Sequence, residues 1–238
     1  MNKIIMLVIT MIYSGLAMAD GSGVDEKTAS TIRQALSNDT VVNINTTPIA
    51  GVYEIQIGNS ILYSDATGRY LVTGGNLLDI QEKKNLTRSR LEYINRVNWD
   101  SLPLDKAIVS GDKKAKQKIA VFTDPDCPFC QKLETTLKGL KGVKVYTFLY
   151  PLEGLHPKAK AKSEAIWCSK NRHQMLQKVM LEGFVPEAAT CKTPVAEIAA
   201  LGQKLNISGT PAIIAVDGRR LNGAPRSLEQ LESWLASH

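Results

Sequence analysis

Histidine is scarce, with only His156, His173 and His238 in 238 residues, and cysteine stops at four. That shortage argues against a structural zinc centre, which usually draws on two closely spaced cysteine pairs or on one such pair with spaced histidines. Only Cys127 and Cys130 are so close, and Cys168 and Cys191 lie far apart. Aromatic residues make up 6% of the chain, and hydrophobic residues 44%, an ordinary globular composition without disorder or collagen-like repeats. Beyond the N-terminal segment no apolar run approaches the roughly 20 residues that a membrane-crossing helix needs. Charge of one sign is also not abundant: 29 Lys and Arg against 23 Asp and Glu give a net charge of +6. The basic residues are scattered, and their longest concentration, Lys106 to Lys118, reads as a solvated surface segment. This balance favours solubility and loose attraction to anionic surfaces over nucleic-acid binding.

The N-terminus has a pattern of export. Lys3 supplies a positive start, and Ile4 to Leu16 is mostly apolar, broken by Thr10, Ser14 and Gly15. Ala17-Met18-Ala19 fits a small-x-small cleavage site, so residues 1–19 read as a signal peptide and Asp20 as the mature start. Such a leader implies a disulfide-permissive compartment. Four cysteines allow three pairings. The C-x-x-C spacing favours Cys127 with Cys130, leaving Cys168 with Cys191 as a structural bridge worth roughly 3 kcal/mol if unstrained.

Residues 25–37 fit a short helix with Ala29, Ile32 and Leu36 on one face. Val52 to Ile57 alternates as a half-buried strand does, and Ser60 to Tyr63 and Tyr70 to Thr73 are further strand runs. Asp65-Ala66-Thr67-Gly68 between them signals a turn. So small a unit buries little surface, and pairing of two copies through a strand edge would relieve that deficit. Residues 87–97 fit a helix capped by Thr87, with Leu91, Ile94 and Val97 on one face. The expected division is therefore 20–82 for the small domain, 83–112 for a linker with a helix, and 113–238 for a second domain.

In that second domain strands and helices alternate. Lys118 to Thr123 reads as a buried strand, the C-x-x-C follows, then Gln131 to Leu140 as helix and Val143 to Leu149 as strand. Residues 158–182 and 194–204 read as mostly helical, and Pro211 to Val216 as strand. Asp217-Gly218 marks a hairpin turn into a strand from Arg219, and Ser227 caps a last helix. This order resembles the thioredoxin arrangement with a helical insertion.

A C-x-x-C between strand and helix has a chemical consequence. Cys127 falls at the helix N-terminus, where free N–H groups and the helix dipole favour negative charge, so its thiol pKa is expected to fall and its thiolate to be exposed for attack. Pro128 suits the first helical turn, and Cys130, more buried, is placed to resolve a mixed disulfide. Pro211, preceded by Gly209-Thr210, is expected to be cis and to face the C-x-x-C, with Thr210 offering its backbone to an extended substrate. Asp124, if buried, is a candidate proton acceptor for Cys130, and Asp126 reads as a turn residue. His156 and His173 show no partner in the sequence and receive no role.

Phe122 to Cys130, Ala165-Ile166-Trp167-Cys168 and Ile207 to Ala212 resemble the DsbC/DsbG family of periplasmic thiol:disulfide interchange proteins, as does Ile61 to Gly74. The resemblance implies an α+β / α/β protein: a thioredoxin-like domain with a helical insertion, preceded by a small cystatin-like dimerisation domain and a linker helix. It implies a periplasmic homodimer with its edge strand near Tyr70 to Gly74, acting on disulfide-bonded protein substrates and re-reduced by a DsbD-type membrane reductase. No cofactor or metal is implied. Cys127 maps to the family's nucleophile, Cys130 to its resolving cysteine, Thr210-Pro211 to its cis-proline loop, and Cys168–Cys191 to its structural disulfide. Pro128-Phe129 departs from the Gly-Tyr or Pro-Tyr typical of the family, and intervening residues tune redox poise. Isomerisation of wrong disulfides is the leading expectation. A DsbG-like reduction of sulfenylated cysteines and a chaperone-like holding of unfolded chains are the alternatives.

Overall fold

The computed structural model describes residues 23–36, 41–188 and 191–237. The expected signal peptide lies outside the described residues. Among them no helix is long and apolar enough to cross a membrane. The chain divides into two compact units, one ending at Leu91 and the other starting at Glu92.

The first unit packs one helix on a sheet. Helix α1 (Glu26–Ala35) begins where the Asp25 carboxylate accepts the Thr28 N–H, and it buries Ala29 and Ile32. Strands β1 (Val41–Thr46), β2 (Val52–Ile57), β3 (Ser60–Asp65) and β4 (Leu71–Val72) form an antiparallel sheet in that order. Ile44 of β1 and Ile55 of β2 meet Ala29 and Ile32 in its core. The Asp65 turn is built by its own carboxylate, which accepts the N–H groups of Thr67 and Tyr70. Gly68 closes it at φ +70°, where a Cβ would come within 2.6 Å of the Ala35 Cβ. Among the described residues strand β4 has only β3 as a neighbour, and Tyr70, Leu71 and Val72 are all exposed. Short strands β5 (Leu78–Asp79) and β6 (Lys84–Asn85) pair with each other and lead into α2 (Leu86–Ile94).

Helix α2 corrects the sequence reading. Asn85, not Thr87, caps it, because the Asn85 Oδ1 accepts the Arg88 N–H at 2.8 Å. Thr87 is buried, and its hydroxyl accepts the Leu77 N–H and meets the Tyr63 hydroxyl. The helix stops at Ile94 rather than Val97.

The second unit is a five-stranded sheet in the order β11-β10-β8-β9-β7. Its strands are β7 (Ile108–Gly111), β8 (Gln117–Thr123), β9 (Val143–Leu149), β10 (Ala212–Ala215) and β11 (Arg220–Asn222). Only β8 and β9 run parallel; the other neighbours are antiparallel. Helices α3 (Pro128–Leu137), α4 (Ala159–Cys168), α5 (Arg172–Glu182), α6 (Val195–Lys204) and α7 (Leu228–Ala236) complete the unit. The sheet is covered on both faces, which is why β8 reads as an unbroken apolar run. Ile119 and Val121 pack with Leu133, Leu231 and Leu235 of α3 and α7. Their neighbours Ala120 and Phe122 pack the other way, with Phe148, Ile198 and Ile214. Each such fully buried side chain contributes roughly 1.5–3 kcal/mol.

Several boundaries move. The helix expected over 131–140 starts one turn earlier, with Pro128 at its first position. The helical run 158–182 breaks after Cys168, and Asn171 caps α5 by accepting the Gln174 N–H. The segment expected to be solvated contains β7, whose Ile108 is buried, as is Ala107 before it.

Candidate active site

The site begins at the C-terminal end of β8. Asp124-Pro125-Asp126 turns the chain, Cys127 is the N-cap residue of α3, and Pro128 follows it into the helix. The Cys127 carbonyl accepts the N–H groups of Cys130 and Gln131 at 3.0 and 3.1 Å, closing the first turn. No side chain caps α3, so the positive end of the helix is left to the Cys127 sulfur.

Both active-centre cysteines are free thiols. Their depth follows the expected order, but Cys127 is not openly exposed: it is 5% accessible and Cys130 1%. The cover comes from the apolar cluster both cysteines share with Leu149, Ile166, Trp167 and Leu176. Phe129 between them points outward and is 64% accessible. The Thr210–Pro211 peptide bond is cis, and the Cys127 Sγ donates to the Thr210 carbonyl at 3.4 Å. Two segments far apart in sequence thus meet at one sulfur: Thr210-Pro211 just before β10 and the turn after β8, on paired strands.

Burial pushes the Cys130 thiol up to about 12, opposed by the hydrogen bond from the Asp124 N–H and by the nearby Thr123 and Thr210 hydroxyls. The Asp124 N–H donates to the Cys130 Sγ at 3.4 Å. The Thr210 Oγ1 is buried with no hydrogen-bond partner among the described residues, yet it lies close enough to that sulfur to favour its thiolate.

The carboxylate of Asp124 is fully buried. Its Oδ1 accepts the Asp126 N–H at 2.8 Å, and its Oδ2 accepts the Leu152 N–H at 2.7 Å and the His156 Nδ1 at 3.0 Å. Asp126 holds its turn and forms an ion pair with Lys162 of α4. His156 and His173, without a visible partner in the sequence, both face acidic groups: His173 Nε2 lies 3.5 Å from Glu134 Oε1, which also accepts from Gln177. No local motif announces these pairs, because each joins segments distant in sequence. Among the described residues no cluster of His, Cys, Asp and Glu could hold a metal ion.

Cys168, ending α4, is bonded to Cys191, with their Cα atoms 5.6 Å apart. The bridge ties the end of α4 to the segment that leads into α6. Arg172 stacks on the Trp167 ring at 3.6 Å and donates to the Trp167 carbonyl, bracing the same corner.

A C-x-x-C at a helix N-terminus beside a cis-proline, on a mixed sheet covered by helices, defines a thioredoxin-like domain, and residues 104–238 match the family described as thioredoxin-like domain. Residues 20–88 match the disulfide bond isomerase protein N-terminal domain. The chain belongs to the DsbC family. It is 37% identical over 196 residues to a probable thiol:disulfide interchange protein DsbC of Bordetella parapertussis, covering 82% of this chain and 68% of that protein. With the counterpart in Bordetella avium the identity is again 37%, over 73% of this chain, and the match spans only 61% of that relative's length. The Escherichia coli K12 DsbC is 27% identical over 95% of this chain and 92% of its own. Among solved structures, a disulfide interchange protein from Neisseria gonorrhoeae superposes with a TM-score of 0.53 at 38% identity, covering 56% of this chain and 96% of that one.

Proposed function

We propose that this protein is a periplasmic thiol:disulfide interchange enzyme that isomerises or reduces wrong disulfides in secreted proteins. The observation that carries the reading is the meeting of Cys127, at the N-terminus of α3, with the Thr210 carbonyl before cis-Pro211, above a deeper Cys130. Cys127 attacks one sulfur of a substrate disulfide, forms a mixed disulfide with it and releases the other sulfur as a thiolate. A substrate thiol that attacks this bond returns a reshuffled substrate and frees Cys127. Attack by Cys130 instead releases reduced substrate and leaves Cys127–Cys130 oxidised. Two electrons from a DsbD-type membrane reductase then restore the dithiol.

The Thr210 backbone lies beside the attacking sulfur, where an extended client segment can pair strand-fashion. The outward ring of Phe129 offers that client an apolar contact. The free edge at β4, with exposed Leu71 and Val72, supports pairing with a second copy into a homodimer. Cys168–Cys191 keeps the insertion folded and takes no part in exchange.

The test is recovery of a correctly paired enzyme from its scrambled multi-disulfide form. Cys127→Ser is expected to fall to the uncatalysed rate, while Cys130→Ser keeps part of the isomerisation and loses net reduction. Undiminished recovery with Cys127→Ser would refute the assignment.

A further inference from the structure

Asp124 is the hub of the active-centre turn. Its backbone N–H donates to the Cys130 Sγ, and its backbone carbonyl accepts the Cys127 N–H at 3.2 Å. Its buried carboxylate is held from the other side by the turn that follows β9. There the Leu152 N–H and the His156 Nδ1 share Oδ2, at 2.7 and 3.0 Å. The His156 backbone N–H donates back to the Leu152 carbonyl at 2.8 Å, and the Ala159 N–H donates to the His156 carbonyl at 3.0 Å, so the backbone that carries the imidazole is held on both sides. Among the described residues His156 is the one side chain that donates to this carboxylate, and its side chain keeps 23% of its surface in solvent while that of Asp124 keeps none.

We propose, building on the exchange activity above, that His156 is a positioning residue for the step carried out by Cys130. It holds Asp124 so that the Asp124 N–H stays on the Cys130 sulfur as that sulfur loses its proton. In this step Cys130 gives up its proton and its sulfur bonds to the Cys127 Sγ. The bond between Cys127 and the substrate sulfur breaks, and the departing substrate thiolate takes up a proton. Over the first attack and this step together, the protein dithiol loses two electrons and the substrate disulfide gains the same two. A hydrogen bond to a sulfur strengthens as charge gathers there, so a misplaced Asp124 N–H is felt at this step and not at the first attack. Without His156, Oδ2 keeps only the Leu152 N–H, and a buried carboxylate with a missing donor draws its surroundings out of place.

The experiment follows release of the two thiols of a fluorogenic disulfide peptide. First attack is read in a Cys130→Ser background, and resolution is read as the second release with Cys130 present. His156→Leu is expected to leave first attack within about twofold of its background and to slow resolution about tenfold, the effect of one charge-assisted hydrogen bond. His156→Asn, which returns a donor near the position of Nδ1, is expected to restore resolution to within about twofold of the wild type. Unchanged resolution in His156→Leu overturns the proposal. So does equal slowing of both steps, or failure of His156→Asn to recover. If instead the wild-type protein shows no Cys127-dependent first release, the exchange activity itself fails, and that outcome is read before any His156 variant is compared.

Discussion

Raising the pH should expose Cys130 as an unusually reluctant thiol. Burial moves it from an ordinary 9.0 up to about 12. At pH 8 an ordinary thiol of that kind is about a tenth ionised and Cys130 only about one part in ten thousand, a thousandfold deficit in thiolate. A more basic sulfur is a better nucleophile, and a Brønsted slope of about 0.4–0.5 over three units returns roughly 15- to 30-fold. Alkylation of Cys130 by iodoacetamide should therefore run roughly 30- to 60-fold below a free model thiol, before the steric cost of its 1% accessibility. The assay is mass-spectrometric labelling of a Cys127→Ser variant between pH 7 and 10. The logarithm of the rate should climb with unit slope and show no plateau. A plateau below pH 10 would refute the assignment of burial as the dominant influence on this sulfur. The sign for stability is the same. The folded state binds this proton more tightly than the unfolded chain does, so its contribution is intact below about pH 9 and is lost as pH climbs toward 12.

Two further outcomes follow from packing. Gly202→Ala should lower stability by roughly 1–3 kcal/mol in denaturant titration, since its Cβ would stand 2.5 Å from the Tyr150 ring. That ring is itself fixed by donation of its hydroxyl to the Ile207 carbonyl at 3.0 Å and cannot swing aside freely. Val72→Lys, placed on the free edge of β4, should shift the protein from dimer to monomer in sedimentation while leaving its thermal unfolding of the second unit unchanged.

The second unit was the more legible in sequence, and the reason lies in its strands. Val143 to Leu149 is buried at every position but the half-buried Lys144, and it reads as a strand with the observed bounds. Ser227 caps α7 as expected, because its hydroxyl accepts the Gln230 N–H directly and the signal is local. Strand β7 escaped notice because it follows Lys106 and precedes a lysine-rich turn, so charge masked two buried residues. Threonine favours caps, which makes Thr87 read as one in the sequence, whereas the Tyr63 hydroxyl and the Leu77 N–H claim its oxygen in the fold. The place of the C-x-x-C at a helix N-terminus and the cis bond of the proline before β10 are legible, because both rest on short local motifs. The link from Asp124 to His156 is not, because α3, β9 and a turn lie between them, and no spacing rule connects a buried carboxylate to a histidine 32 positions away.

Pro128 and Phe129 lie on the outward side of the catalytic turn, whereas Asp124 grips that turn from within. An engineer retuning this protein therefore has two separable dials. If the proposed exchange function holds, exchanging the ring at 129 would change only the outward surface of the turn and leave the contacts from residues 152 and 156 to Asp124 in place, while edits to that loop would do the reverse.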